Sequence, residues 1–308
     1  AKTWTSSIKE AIPEDKAARG VSTCLEFGEV LDRLEGGFEI DPSDLALDRI
    51  LVSGDVADVY AGDYDGRSVA VKTYRTNRRL SLKQHVAFCR EVEAFEDVHH
   101  PNIVQLIGAC TLSMPLRIVT ELCSGGSLYE LLYENCHVDV HWRQRRRAAS
   151  DIARGMAYLH GLTPQIVHRD LTSFNCLFAS RIHGPDDEAV AKVGNFGFAR
   201  MKDRCAGRTS MTSDVGTLVW IAPEILLRQD YDAKVDVYSF GIILFELLSR
   251  CPPFEELDVC SLEKAVTSGG RPDTGRVSDG CPADMVALME VCWSQEPAER
   301  PDFSRIAL

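Results

Sequence analysis

A chain of 308 residues that is 45% hydrophobic and 26% charged holds enough apolar material for one large domain, or for two lobes sharing an interface. Its formal net charge of -12 excludes a general binder of nucleic acid or of acidic membrane surfaces, since neither phosphate array would attract it. Eleven scattered cysteines without paired metal spacing favour a reducing, intracellular setting over a disulfide scaffold, and the longest apolar stretch, FGIILFELL at 240–248, is too short to span a bilayer.

No signal peptide is visible, and a chain that opens on Ala1 reads as a segment of something longer. Residues 1–44 form a leader. Within it Phe27, Leu31 and Leu34 recur at helical spacing before Gly36-Gly37 and Asp41-Pro42 end the run, which predicts a helix packed on the body. Residues 45–123 read as strands around one helix: LALDRILV, DVYAGDY, RSVAVKTY, IVQLIGAC and LRIVTEL are short, rich in β-branched residues and broken by Gly, Asp or Pro. Between them, 81–98 places Phe88, Val92 and Phe95 on one helical face.

After CSGGS the pattern changes period. Ala149, Ile152, Ala153, Met156 and Leu159 form one stripe over 141–160, with further helices expected over 234–249 and 282–293 and a short one within 297–308. The basic run Arg143, Arg145, Arg146, Arg147 reads as the solvated face of the first of these. The expected fold class is α+β, with a small sheet-rich lobe over 45–123 and a larger helical lobe over 124–308, joined near Gly125-Gly126. A cleft between such lobes is the natural place for a ligand.

Two constellations carry chemistry. In VHRDLTSFN, 167–175, Asp170 and Asn175 stand five apart in a polar loop after a helix. The carboxylate can orient a hydroxyl and accept its proton, and an amide oxygen five residues on can reach a divalent metal. In VAVK, Lys72 ends an alternating strand, where a lysine ordinarily does no more than reach water. Here Glu91 lies in the middle of the following helix, and a Lys72–Glu91 pair would hold the ammonium against phosphate groups.

These segments, with HHPNIVQLIGAC, GTLVWIAPE at 216–224, DVYSFGIILFELL at 236–248 and CWSQEPAERPDF at 292–303, resemble the eukaryotic protein kinase catalytic domain in order and separation over roughly 45–308. The tyrosine-kinase-like group is the most similar, because Thr172 replaces the lysine usual in serine/threonine kinases. The resemblance implies a bilobal kinase fold that moves the γ-phosphate of ATP to protein Ser/Thr hydroxyls, with dual specificity open and ATP and Mg2+ as cofactors. Lys72 would pair with phosphates and Glu91, Asp170 would be the catalytic base, and Asn175 would bind magnesium. Thr120 would guard the back of the adenine pocket, Glu121 and Cys123 would offer backbone groups to adenine, and Ala70 and Leu177 would sandwich its ring. Glu224 would pair with Arg300 and Asp236 would hold the catalytic loop, both structural roles. Implied partners are a protein substrate or a regulatory protein, with no nucleic acid and no direct membrane insertion.

The pattern breaks in two places. Where the family has three glycines before a valine, this chain has Val52, Gly54 and Ala57 before Val59, so backbone N–H groups have less room to approach phosphate. Asp55 and Asp58 add negative charge to that loop, and are expected to face solvent. At the position of the family's metal-binding aspartate stands Asn195, in KVGNFGFAR, which keeps an oxygen and loses the charge that magnesium prefers. The expectation is ATP binding with much reduced transfer. The otherwise complete set favours deliberate replacement of an aspartate, while the poor glycine loop favours natural loss. Thr209, Ser210, Thr212, Ser213 and Thr217 lie in the segment that Arg169 could order after phosphorylation, Thr217 being the weakest candidate. The alternative in another class is a pseudokinase acting as an interaction or scaffold module. A hydrolase built on His99, His100 and His168 fails on spacing.

Overall fold

A computed structural model describes residues 38–75, 88, 91–92, 98–197, 199–201 and 218–306. The chain divides into two compact units, one comprising Ala1–Asp97 with Gln105–Leu122 and the other Val98–Val104 with Cys123–Leu308.

The first unit is built on five antiparallel strands, β1 Leu45–Ser53, β2 Ala57–Tyr64, β3 Arg67–Tyr74, β4 Leu106–Cys110 and β5 Arg117–Glu121, in the order β1-β2-β3-β5-β4. Asp65 and Gly66 take φ of 51° and 73°, the left-handed pair that a two-residue hairpin between β2 and β3 requires. The alternation of β3 then decides what each face carries. Val69 and Val71 point into a core shared with Ile40, Leu45, Cys110 and Val119, while Ala70 and Lys72 point the other way. The fourth strand is shorter than its apolar letters predict. Ile103 is no part of the sheet: it belongs to the second unit, where it bridges to Val193. Of the helix expected over 81–98, Phe88, Glu91 and Val92 are helical and buried, and its other residues lie outside those described. The leader helix at Phe27–Leu34 also lies outside them.

The second unit is mainly helical, with α1 Trp142–Gly161, α2 Pro223–Leu226, α3 Lys234–Ser249, α4 Val259–Thr267, α5 Ala283–Cys292 and α6 Phe303–Ile306. Two small antiparallel sheets accompany them: β6 Ile166–Val167 with β9 Arg200–Met201, and β7 Cys176–Phe178 with β8 Ala191–Val193. Helix α3 is the central post. Every residue from Val235 to Ser249 is buried, as befits a helix apolar nearly all round, and α5 packs against it. At Gly241 an added Cβ would come within 2.9 Å of the Trp293 backbone nitrogen, so a glycine sets that close approach.

A small sheet-rich unit followed by a larger helical one is the α+β division expected from the letters. Two details correct the sequence reading. Arg145 is not on a solvated face: it is buried, stacks on Trp142 and donates to the carbonyls of Val140 and Leu247, whereas Arg143, Arg146 and Arg147 form exposed ion pairs with Glu188 and Asp284. The α4 helix was not expected at all, since only Leu262 and Val266 of its nine residues are buried. Its start is marked by the Asp258 side chain, which accepts from the Ser261 N–H. Among the described residues no helix is long and apolar enough to cross a membrane.

Candidate active site

In the first unit, cross-strand pairing gathers the expected nucleotide-side residues on one sheet face. Val52 lies opposite Val59, Val59 opposite Lys72, and Ala70 opposite Thr120. Directly opposed residues of antiparallel strands share a face, so Val52, Val59, Ala70, Lys72 and Thr120 do so here, away from the Val69–Val71 core. Lys72 Nζ donates to both oxygens of Glu91, at 2.8 and 2.7 Å, and the Glu91 carboxylate is only 3% exposed. A buried carboxylate needs more than one donor, and the second comes from a residue that sequence reasoning missed. The hydroxyl of buried Tyr74 donates to Glu91 Oε2 at 2.7 Å, while its ring packs edge-on against Phe88. Two residues beyond Lys72 on the same strand face, Tyr74 was legible only as a β-forming aromatic. Tyr74→Phe keeps the ring and removes a hydrogen bond to a buried charge, so it is expected to cost about 1–3 kcal/mol, read as a lower urea midpoint with unchanged slope.

The degraded glycine loop is a tight turn in which Gly54 N–H donates to the Ala57 carbonyl at 3.1 Å, and Val52 is exposed. Asp58 does not stand free in solvent as expected. It accepts from Arg75 Nε at 2.7 Å and from Ser53 Oγ at 2.7 Å, and the Arg75 guanidinium, with the Ser53 hydroxyl, holds its pKa down at about 2. Its negative charge is thereby paired, and Asp55 is the exposed acid of the turn. Glu121 gives its own N–H to the Gln105 carbonyl at 3.0 Å.

In the second unit the loop 168–175 is fixed by buried groups. His168 is fully buried. Its Nε2 donates to the Gly194 carbonyl at 3.0 Å, and its Nδ1 accepts from the Asp170 N–H at 3.3 Å, a pair of bonds that requires the neutral ring. Burial pushes its pKa down, which agrees. Asp236, 0% exposed on α3, accepts from the backbone N–H groups of His168 and Arg169 at 2.8 and 2.7 Å and from His160 at 2.8 Å. Burial alone would raise the Asp236 pKa, but the His160 hydrogen bond and charge, with the neighbouring donors, bring it below the ordinary carboxylate range. Arg169 sits at φ 65° and gives one guanidinium nitrogen to Tyr231. The hydroxyl residues Thr209, Ser210, Thr212, Ser213 and Thr217 lie outside the described residues.

Asp170, Asn175 and Asn195 come together. Asn175 Nδ2 donates to the Asp170 carbonyl at 2.7 Å and to Asp170 Oδ2 at 2.9 Å, which leaves Asn175 Oδ1 facing outward. That oxygen accepts from Asn195 Nδ2 at 3.1 Å, and the same amide reaches Asp170 Oδ2 at 3.4 Å. Asn195 therefore turns an N–H toward the two groups that a cation would need. The trio offers one carboxylate and two neutral amides, with an amide hydrogen placed among them, and fits magnesium poorly. Among the described residues no group of three His, Cys, Asp or Glu is placed to hold a metal ion. Asn195 adopts φ 64°, a left-handed conformation that asparagine tolerates better than most residues. Leu177 is on β7, opposite Lys192 and bridged to Ser127. Cys123 is half-buried at the start of this unit. The chain just after it lies against β7 because Gly125 donates to the Phe178 carbonyl, where any side chain would collide with the Ser180 carbonyl.

Residues 45–308 match the family model described as protein tyrosine and serine/threonine kinase. Among curated proteins, the chain is 35% identical over 269 residues to a probable serine/threonine-protein kinase of Dictyostelium discoideum, covering 87% of this chain and 28% of that protein. It is 36% identical over 269 residues to serine/threonine-protein kinase STY46 of Arabidopsis thaliana, covering 87% and 44%. To the probable serine/threonine-protein kinase SIS8 of Arabidopsis thaliana it is 39% identical over 255 residues, covering 82% and 23%. The chain thus spans less than half the length of each of these relatives.

Proposed function

The chain belongs to the protein tyrosine and serine/threonine kinase family, and from that premise we propose that it binds ATP and moves its γ-phosphate to protein Ser/Thr hydroxyls, at a rate held far down by Asn195. ATP-dependent protein phosphorylation is the activity of the family. The roles that follow are those this chain's own residues are suited to. Lys72, pinned by Glu91, carries a fixed positive charge for phosphate oxygens. In the first unit Val52, Val59, Ala70 and Thr120 share a sheet face suited to an adenine ring, and in the second unit Leu177 on β7 is suited to the same kind of ring. Asp170 holds the acceptor hydroxyl and takes its proton as the oxygen becomes nucleophilic, its carboxylate steadied by Asn175. In this family magnesium neutralises charge on the transferring phosphoryl group, and Asn175 and Asn195 stand where its ligands would be.

The observation that carries the reading is the Asn195 amide donating into Asn175 and Asp170. An amide in that role leaves the loop folded and its base in place, yet withholds the negative oxygen that a hard cation selects. The test is calorimetric titration of ATP into the chain with magnesium and with EDTA. Nucleotide is expected to bind with similar affinity in both, and to gain affinity from magnesium only after Asn195→Asp. Strong magnesium dependence in the unaltered chain would overturn the claim that Asn195 disables the metal site. A chain that binds no nucleotide in any form would favour the interaction-module reading, for which the exposed Val52 at a glycine position is the supporting feature.

A further inference from the structure

Helix α3 carries two carboxylates that are 0% exposed. Asp236 has been described; the other, Glu246, has no part in the site as drawn above. A charge-bearing side chain at the centre of a packed core is costly unless donors converge on it. Three do, each from a different part of the second unit. Ser173 Oγ donates to Glu246 Oε1 at 2.7 Å, Trp220 Nε1 donates to Oε2 at 2.8 Å, and the Tyr133 hydroxyl lies 3.1 Å from Oε1 with its single proton shared between that oxygen and the Cys251 carbonyl at 3.0 Å. Ser173 lies inside the Asp170–Asn175 loop. Trp220 is at the end of the short turn Leu218–Trp220, where the described chain resumes after residue 217. Tyr133 belongs to the turn of helix Glu130–Glu134, whose preceding residue Tyr129 stacks on Phe174 with centroids 4.0 Å apart and donates its N–H to the Ser173 carbonyl at 3.1 Å.

We propose that Glu246 is a positioning residue for phosphoryl transfer, anchoring the Asp170–Asn175 loop at its Ser173 end and tying it to Trp220, as Asp236 anchors the loop at its His168–Arg169 end. The proposal rests on the kinase reading of that loop. Asp236 restrains backbone N–H groups before Asp170. The stretch from Leu171 to Asn175 is held by the Tyr129 N–H on the Ser173 carbonyl and the Gly194 N–H on the Asn175 carbonyl, with no hydrogen bond to α3 among the described residues other than that of the Ser173 side chain. The Ser173 bond adds a fixed reference to those restraints, because Glu246 sits on a helix buried along its length. The Trp220 bond makes the loop and the Leu218–Trp220 turn share one reference point.

The chemistry of the three donors dictates the variants. Serine and tyrosine hydroxyls can reverse and accept, but an indole N–H can only donate. In Glu246→Gln the amide oxygen can keep Trp220 while the NH2 donates to Ser173 and Tyr133, so the anchor survives with its polarity reversed. Ser173→Ala cuts the link to the loop and leaves Trp220 and Tyr133 on Glu246, so only that one hydrogen bond is lost. The pH response separates anchoring from charge. Burial pushes the Glu246 pKa up to about 7, against the opposing hydrogen bonds of Ser173, Trp220 and Tyr133. The titratable groups facing this cluster are Tyr133 and Cys176, both raised well above their usual ranges by burial and hence neutral near pH 7, while the Cys251 carbonyl also accepts from Tyr133. A carboxyl with a raised pKa contributes its full stability below the ordinary carboxylate range and loses it as pH rises through about 7. The parent should therefore lose stability between about pH 5 and 8 relative to Glu246→Gln, which has no proton to release there.

The experiment follows hydrogen exchange of the Asn175 and Tyr129 amides, and transfer kinetics in the Asn195→Asp background, for the parent, Ser173→Ala and Glu246→Gln. Ser173→Ala is expected to speed exchange at both amides about tenfold or more and to lower kcat by a similar factor with KM for ATP unchanged. Glu246→Gln is expected to restore both to near parental values while flattening the pH dependence of stability. Unchanged exchange in Ser173→Ala, or a Glu246→Gln variant whose loop amides exchange as fast as those of Ser173→Ala, would overturn the anchor. The exchange readout needs no catalysis: a responsive loop in a protein that transfers nothing would sink the kinase reading and leave the anchor standing.

Discussion

Replacing Asn195 with aspartate is expected to raise phosphoryl transfer to a protein acceptor by roughly two to three orders of magnitude, since a metal clamp on the phosphates contributes several kcal/mol and each ~1.4 kcal/mol is tenfold in rate. The substitution exchanges an N–H directed at Asn175 Oδ1 and Asp170 Oδ2 for a second carboxylate beside Asp170. Two carboxylates facing each other repel in the apo protein, and that repulsion is what a divalent cation relieves. The gain should therefore appear only with magnesium present. Backbone strain does not oppose the change, because the left-handed conformation at φ 64° is open to aspartate as well as asparagine. Lys72–Glu91 and the Asp236-anchored loop are already assembled. Phosphate on a generic acceptor would be counted by mass spectrometry, with Asn195→Asp combined with Asp170→Ala as the blank. Equal rates for the parent and Asn195→Asp, in folded protein that binds ATP, would remove Asn195 as the cause of low transfer.

Much of this arrangement was readable from the letters because it depends on short-range regularities. The alternation in RSVAVKTY sends Val69 and Val71 one way and Ala70 and Lys72 the other whatever the rest of the chain does. The Lys72–Glu91 pair was legible for a similar reason, since a strand leading into an amphipathic helix carries its lysine and glutamate to the same neighbourhood. What escaped were residues whose partners are far along the chain. Glu246 reads as a lone polar break in FGIILFELL, and nothing local reveals that Ser173, Trp220 and Tyr133 converge on it. Arg145 shares a run with three exposed arginines, and only the packing of Trp142 and the carbonyls of Val140 and Leu247 single it out. Asp58 looked like charge beside a phosphate loop because Arg75 is seventeen positions away, just past the end of β3. In each case burial and long-range hydrogen bonding, which no periodicity encodes, decided the outcome.

Arg300→Lys, conservative in charge, is expected to be among the most destabilising single changes in the second unit, at about 3–5 kcal/mol. Arg300 is 1% exposed, and its guanidinium nitrogens meet five acceptors: Nε donates to the Ser294 carbonyl, one terminal nitrogen to Glu224 Oε1 and the Lys234 carbonyl, and the other to Glu224 Oε2 and the Gln295 carbonyl. The two bonds to Glu224, at 2.6 and 2.9 Å, form the parallel fork that a planar guanidinium makes and an ammonium cannot. Tyr238 lies under the same group at 5.2 Å. Lysine would offer three donors from one point, which cannot reach carbonyls at residues 234, 294 and 295 and a bidentate carboxylate together. Those acceptors would remain buried without donors, and Glu224 would keep a charge that only partial pairing offsets. Since native domains hold only about 5–15 kcal/mol, such a loss leaves little margin at 37 °C. Urea denaturation of Arg300→Lys, Glu224→Gln and the double variant would measure it. The double variant should cost clearly less than the two single losses added together, because each single change strands the other partner. Additive losses, or an Arg300→Lys midpoint close to the parent's, would show that the fold does not depend on the fork and that the carbonyl bonds or the Tyr238 contact carry the stability instead.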